Sequence, residues 1–210
     1  GMKRLARYLT HPQVAIDPNI PIPEWGLSQI GFARAQSLAQ ARPWPNTTRI
    51  VSSAERKAIE TATCLAAAWQ CPMEIRSQMH ENDRSATGFL PPYAFEAAAD
   101  RFFAAPHESF RGWETAEAAQ ARILDEALEY VWHHPEGDVL FIGHGAVGTL
   151  LYCALAGRPI DRQYDQPQGG GNWFSFEIES RQVSHHWRSI DDALCVPNEK
   201  GATRAVGACA

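Results

Sequence analysis

Apolar runs punctuated by proline, glycine and charge divide this chain into short strands alternating with amphipathic helices. Leu5 to Leu9 reads as a first strand. Pro12, Pro18, Pro21 and Pro23 then exclude helix and predict a long exposed loop. From Ser28 to Ala41, the residues Ile30, Ala33 and Leu38 recur near helical spacing, and Pro43 and Pro45 stop that helix. Arg49-Ile50-Val51 makes a second strand ending at Ser52-Ser53, where serine can cap the helix predicted over 54–70. Ile59, Ala62, Leu65, Ala66 and Trp69 share one face of it. Pro72 ends that helix, and Met73 to Ile75 is a third strand.

Residues 80–113 are rich in glycine, proline and charge, with a short helical stretch around Ala94 to Ala104. They read as a lid-like insertion over a site, not as a separate domain. Thr115 to Trp132 carries a helical stripe of Ala119, Ile123, Ala127 and Val131. Asp138 to Ile142 is almost continuously apolar, as a buried parallel strand should be. Gly143-His144-Gly145 then opens a helix over 146–156, and Trp173 to Ile178 and Gln182 to Arg188 alternate as a hairpin would. After about residue 191 the pattern dissolves into what reads as a loosely ordered tail.

Strand–helix alternation predicts one α/β domain over residues 1–210: a three-layer α/β/α sandwich around a mostly parallel central sheet. Ligands of such sheets bind beyond the carboxyl ends of the strands. Three segments put polar residues there: Thr10-His11, Ser52-Ser53 with Arg56-Lys57, and Gly143-His144-Gly145.

Composition narrows the partners. The net charge is −5, and no block of lysine or arginine marks a nucleic-acid binder. Any cation for an anionic substrate must therefore be placed locally. No apolar run approaches membrane-spanning length, so no membrane partner is expected. Five scattered cysteines without a CxxC pair predict reduced thiols and a cytoplasmic setting.

His144 lies between glycines at a strand-to-helix turn, where free N–H groups and the helix dipole favour an anion. It either donates to a phosphoryl oxygen or simply caps the helix. His11 ends the first strand; its neutral imidazole is a competent nucleophile toward phosphorus, or else a surface histidine. Glu81, in the cluster His80-Glu81-Asn82-Asp83-Arg84, can protonate a leaving alcohol and later deprotonate water, or can be a solvated loop charge. Arg84 can orient Glu81 or bind substrate, and Trp25 and Trp113 lie in loops near the site. His133-His134 and His185-His186 lack metal-ligand spacing, so neither metal nor cofactor is expected. Gly169-Gly170-Gly171 precedes a strand, not a helix, and reads as a turn. No Gly-x-Ser-x-Gly elbow supports a serine hydrolase.

The order of these parts resembles the histidine phosphatase, or phosphoglycerate-mutase-like, superfamily over about residues 4–178. Ser52-Ser53-Ala54-Glu55-Arg56-Lys57-Ala58-Ile59-Glu60-Thr61-Ala62 is similar to its Ser-Ser-x-x-x-Arg-Ala-x-x-Thr-Ala segment. Leu27-Ser28-Gln29-Ile30-Gly31 is similar to its Leu-Thr/Ser-x-x-Gly helix entry. Val139 to Gly145 resembles its second histidine strand, with Gly143 where serine is common. The resemblance implies a phosphoglycerate-mutase-like fold, with His11 as phosphoacceptor, His144 as transition-state stabiliser and Glu81 as proton donor. Thr10, Lys57, Arg84 and Gly145 would then bind substrate, a small phosphate ester or free phosphate.

The chain departs from the family at the phosphate grip. Thr10-His11-Pro12 stands for Arg-His-Gly, Lys57 for a second arginine, and Asp17 for a frequent asparagine. Lysine keeps the charge but loses the planar fork. Arg84 is the first candidate to compensate. The resulting expectation is a metal-independent phosphatase working through a phosphohistidine on His11. The alternatives are a non-catalytic phospho-ligand-binding or regulatory protein, a mutase-type phosphotransferase, or an enzyme for a less charged reacting group.

Overall fold

The computed structural model describes residues 3–134, 136–194, 196–197 and 203–204. Six strands form its main sheet: β1 (Leu5–Thr10), β2 (Thr47–Ser52), β3 (Met73–Ile75), β4 (Asp138–Gly143), β5 (Asn172–Glu177) and β6 (Val183–Ser189), in the order β3-β2-β4-β1-β5-β6. The pairs β3–β2, β2–β4 and β4–β1 are parallel, while β5 runs antiparallel to β1 and to β6. This is the α/β fold with a mostly parallel sheet that the sequence pattern predicts.

Strand β4 explains the layering. Every residue in it is buried, which accounts for its unbroken apolar character. Val139 and Phe141 join one core, Leu140 and Ile142 the other, following the two-residue period of a strand. Helices α1 (Gln29–Ala41) and α2 (Arg56–Trp69) cover the Leu140 face. Helices α3 (Pro92–Ala104), α4 (Ala116–His133) and α5 (Gly145–Ala156) cover the Phe141 face.

Local chemistry sets most helix starts. Ser28 Oγ accepts the Gly31 N–H at 3.1 Å, and Thr115 Oγ1 accepts the Ala118 N–H at 3.1 Å, each satisfying a donor that has no intrahelical partner. Helix α3 begins earlier than the expected stretch around Ala94, because Pro92 is well suited to a first helical turn. Helix α2 differs from expectation. Its N-cap position is Glu55, which makes no side-chain cap, and Ser53 does not cap the helix either. Both side chains are committed to His144 instead.

The stretch 80–113 contributes α3 and Trp113 to the core, where Phe102, Phe103 and Trp113 are buried. Beyond β6, Ile190–Leu194 forms a 3₁₀ turn with Ile190 buried beside α1 and α2 residues. Most of the expected loose tail lies outside the described residues. Within it, Val196–Pro197 pairs antiparallel with Thr203–Arg204. Among the described residues, no helix is long and apolar enough to cross a membrane.

Candidate active site

The carboxyl ends of β1, β2 and β4 bring the distant polar segments together. His11 follows β1, and its N–H donates to Gly143 O at 3.1 Å. The Ser53 N–H donates to Ile142 O at 3.1 Å. The rings of His11 and His144 meet edge to face, with centroids 5.3 Å apart.

His11 Nδ1 lies 2.8 Å from Pro12 O. A carbonyl only accepts, so Nδ1 carries the proton and Nε2 keeps its lone pair. Burial, with His144 close by, lowers the His11 pKa to about 3. The imidazole is thus neutral across the physiological range, the state a nucleophile needs. The backbone behind it is fixed by the glycine turn. Gly171 N–H donates to His11 O at 3.1 Å. Gly170 has φ +65°, and a Cβ there would overlap His11 O, so only glycine fits. Arg34 holds this turn through Gly169 O and Gly170 O at 3.3 and 3.1 Å. The expected turn at 169–171 is thus a brace for His11.

His144 is buried at the N-cap of α5. Its Nε2 lies 2.7 Å from Ser53 Oγ and 3.1 Å from Glu55 Oε2. A carboxylate accepts, which puts the proton on Nε2. Tyr8, beneath it, accepts the His144 N–H at 2.8 Å and donates to His144 O at 3.0 Å. This also explains Gly143: a Cβ there would overlap the Tyr8 hydroxyl, so the serine common in the resembling family has no room. Burial lowers the His144 pKa, opposed by the Glu55 and Glu81 charges.

Glu81 caps α5. Its oxygens accept the N–H groups of Asn82, Ala146 and Val147 at 3.0, 3.0 and 2.9 Å. The helix N-terminus that could hold an anion therefore already holds this carboxylate. Gly145 starts the helix, and a Cβ on it would overlap the Gln166 amide.

Three substrate-binding candidates are placed in different ways. Thr10 is buried, and its hydroxyl is used within the protein: it donates to Gln166 Oε1 at 2.7 Å and accepts the Asn172 N–H at 3.0 Å. Lys57 is buried, with Nζ donating to Ile22 O at 2.9 Å, paired with Glu55 Oε1 at 3.3 Å, and lying over Trp25. Burial lowers its pKa, against the Glu55 charge. Arg84 is half-buried, with its guanidinium carbon 5.0 Å from the Phe95 ring centre and 5.7 Å from that of Trp113. Among the described residues its guanidinium has no hydrogen bond or ion pair, so its donors are available. Trp25 and Trp113 thus hold the two cations. Asp17 is spent on a turn, accepting the Asn19 N–H at 3.0 Å.

His11, Glu81, Arg84 and Gly145 line one cavity of about 370 Å³, walled by Phe95 and Trp113. A second cavity, of about 870 Å³, shares Glu81 and Arg84, and adds Glu55 and the proline-rich 18–23 loop. Two site residues escaped sequence reasoning. Glu55 is buried, bonded to His144, Lys57 and the Glu81 N–H (2.9 Å); burial pushes its pKa up, but His144, Lys57 and the Glu81 N–H beside it bring it down to about 2. Ser53 and Lys57, two residues to either side, fall on fixed positions of the resembling motif, whereas Glu55 falls on a variable one. Asp165 lines the His11 cavity, and burial raises its pKa; no motif marks it. Among the described residues, no cluster of three or more histidine, cysteine or carboxylate groups has metal-binding form.

Residues 20–189 match the family model of the histidine phosphatase superfamily, branch 1. No curated protein matches the chain. Similar solved structures include a mycobacterial glucosyl-3-phosphoglycerate phosphatase, at 19% identity and TM-score 0.70, over 89% of this chain and 97% of that one. The same protein has been solved with inorganic phosphate and with vanadate. Bacillus stearothermophilus YhfR is similar at 20% identity and TM-score 0.74, over 87% and 95% of the two chains. The alpha-ribazole phosphatase of Shigella flexneri is similar at 16% identity and TM-score 0.66, over 88% and 95%.

Proposed function

The chain belongs to the histidine phosphatase superfamily, and on that premise we propose that it hydrolyses a small phosphate monoester through a phosphohistidine on His11. The observation that carries this reading is the state of His11. Its Nδ1 is bonded to Pro12 O, which among the described residues leaves the Nε2 lone pair uncommitted, and it stands against His144 in one cavity with Glu81 and Arg84, where burial favours the neutral ring.

In the first step the His11 Nε2 lone pair attacks phosphorus in line. The bond from phosphorus to the ester oxygen breaks, and Glu81, entering the step protonated, gives its proton to the departing alkoxide. In the second step Glu81, now a carboxylate, takes a proton from water as the water oxygen attacks phosphorus. The P–N bond breaks, releasing phosphate and neutral His11. Arg84 supplies the fork to the equatorial oxygens, in place of the family arginine that Thr10 replaces. No step calls on a metal or cofactor. Phosphate and vanadate bound to the mycobacterial phosphatase support phosphate as the ligand class.

A second reading has an observation in its favour. Thr10 and Lys57 are committed to protein partners, which suits a phospho-ligand-binding protein without turnover. The test separates the two. Wild type and His11→Ala are incubated with para-nitrophenyl phosphate and a panel of sugar and nucleotide phosphates. The expected result is phosphate release by the wild type and a loss of about a hundredfold or more in the variant. Equal background rates from both proteins would favour the binding reading.

A further inference from the structure

Glu55 occupies a place in this site that neither the family motif nor the proposed chemistry requires. Its carboxylate collects the donors that a phosphoryl group would otherwise use. One oxygen pairs with His144 Nε2 at 3.1 Å and takes the Glu81 N–H at 2.9 Å; the other pairs with Lys57 Nζ at 3.3 Å. Lys57 stands where the family has its second arginine, and His144 is the second histidine. Glu55 is therefore a resident anion among the groups that would hold phosphate, close enough to act on the charge of His11 as well.

Charged and titratable groups face Glu55 from several elements. Helix α2 offers Lys57, already paired with Glu55 itself. The β1 end offers His11 and the β4–α5 turn His144, both with pKa values lowered by burial and hence largely neutral near pH 7. The loop after β3 offers His80, Glu81, Asp83 and Arg84, which line the same cavity as Glu55. Glu55 cancels Lys57, and Asp83 offsets the loop's one guanidinium even with Glu81 protonated for its role as acid. The adjoining His11 cavity adds Arg162, paired with Glu96 and Asp100, and Asp165, so the pocket walls around the reacting group carry no surplus of positive charge. A doubly charged phosphoryl group entering it would be poorly compensated, whereas a singly charged one needs only Arg84.

We infer that Glu55 sets the charge of the group the site accepts, restricting it to phosphoryl groups with one negative charge. These are phosphodiesters, or monoesters in their singly protonated form. The inference rests on the phosphohydrolase reading above and sharpens its substrate class. The chemistry is unchanged, with His11 Nε2 displacing an alcohol from phosphorus and Glu81 protonating it. Only the ionisation of the non-bridging oxygens is constrained.

The experiment compares wild type, Glu55→Gln and His11→Ala on para-nitrophenyl phosphate and its methyl diester between about pH 5 and pH 8, bracketing the second phosphate ionisation near about 6. For the wild type, kcat/KM on the monoester should fall about tenfold per pH unit above that ionisation, while the diester value stays level. Glutamine is isosteric and removes the charge, so Glu55→Gln should abolish the fall and raise the monoester value at pH 8 about tenfold or more. A wild-type monoester profile that is level or rising to pH 8, with monoester preferred over diester, overturns the inference. So does Glu55→Gln with an unchanged profile. Turnover by His11→Ala equal to wild type would instead sink the phosphohistidine reading. If no protein turns over either ester, equilibrium titration with inorganic phosphate decides. Wild type should bind at least about fivefold more weakly at pH 8 than at pH 5, because free phosphate loses its second proton later than its esters, with the difference lost in Glu55→Gln; equal binding at both pH values by wild type overturns the inference.

Discussion

Replacing Arg84 by methionine tests how a site that lacks the family's first arginine grips phosphate. Among the described residues, Arg84 is the only cation lining the His11 cavity that is not already paired, since Arg162 is bound to Glu96 and Asp100. Its stacking on Phe95 and Trp113, at 5.0 and 5.7 Å, fixes the guanidinium without using its N–H donors. A fixed donor aimed at charge developing in a transition state is worth about 3 kcal/mol, or about a hundredfold in rate. Methionine preserves much of the packing and removes only the fork. Arg84→Met should therefore lower kcat/KM on a phosphoryl ester about a hundredfold. Folding stability should fall by only about 1 kcal/mol, the value of the lost cation–π contacts. Arg84→Lys keeps the charge but not the planar fork, and should lie between, about tenfold down. The assay is steady-state kinetics at fixed pH, paired with urea unfolding of each variant. A value for Arg84→Met within about threefold of wild type would show that the phosphoryl oxygens are held elsewhere and would refute this reasoning.

Three further outcomes are expected. Tyr8→Phe leaves the buried His144 N–H without its acceptor, and should cost about 1–3 kcal/mol in urea unfolding as well as reducing activity; an unchanged midpoint would mean that the N–H finds another partner. Glu81→Gln should slow the first step on alkyl phosphates about a hundredfold or more while sparing the first step on para-nitrophenyl phosphate, whose leaving group needs no proton; equal first-step losses on both would assign the proton to another acid, with Asp165 the next to replace. Stability should fall as pH falls. The His11 pKa lies near 3 folded against 6.5 unfolded, so below about pH 6.5 the unfolded chain takes up a proton that the folded protein refuses. Urea unfolding should show a loss of about 1–2 kcal/mol between about pH 7.5 and pH 5, lessened in His11→Gln. Glu55 has the same slope in a lower window, from 4.5 down to about 2; a stability that rises on acidification to pH 5 would contradict the His11 assignment.

Much of the fold is legible because burial leaves a periodic trace. Strand β4, buried on both faces, reads as an unbroken apolar run, and α4 as a stripe on one side. Helix α3 is harder to place, since its start depends on a proline at the first turn and its apolar face on a wall formed with Trp113. In the site, His11 and His144 are readable from their strand ends. Their ionisation states are not, because those depend on Pro12 O, Ser53 and Glu55, contacts that no spacing rule encodes. Glu55 is hidden for a related reason. A glutamate before a helix normally reads as a favourable charge at the dipole, and only the meeting of three segments shows it turned inward. The substitution of Thr10 for arginine is visible in sequence, but its hydroxyl's capture by Gln166 and Asn172 is a tertiary fact.

The most direct test is to quench the protein during turnover of a phosphoryl ester in alkali, where a phosphohistidine survives, and to map the modified residue by peptide mass spectrometry. The account predicts one phosphoryl group, on Nε2 of His11, absent from His11→Ala and accumulating in Glu81→Gln on para-nitrophenyl phosphate because its hydrolysis lacks a base. Turnover by the wild type with no adduct at His11, or with the adduct on His144, would contradict it.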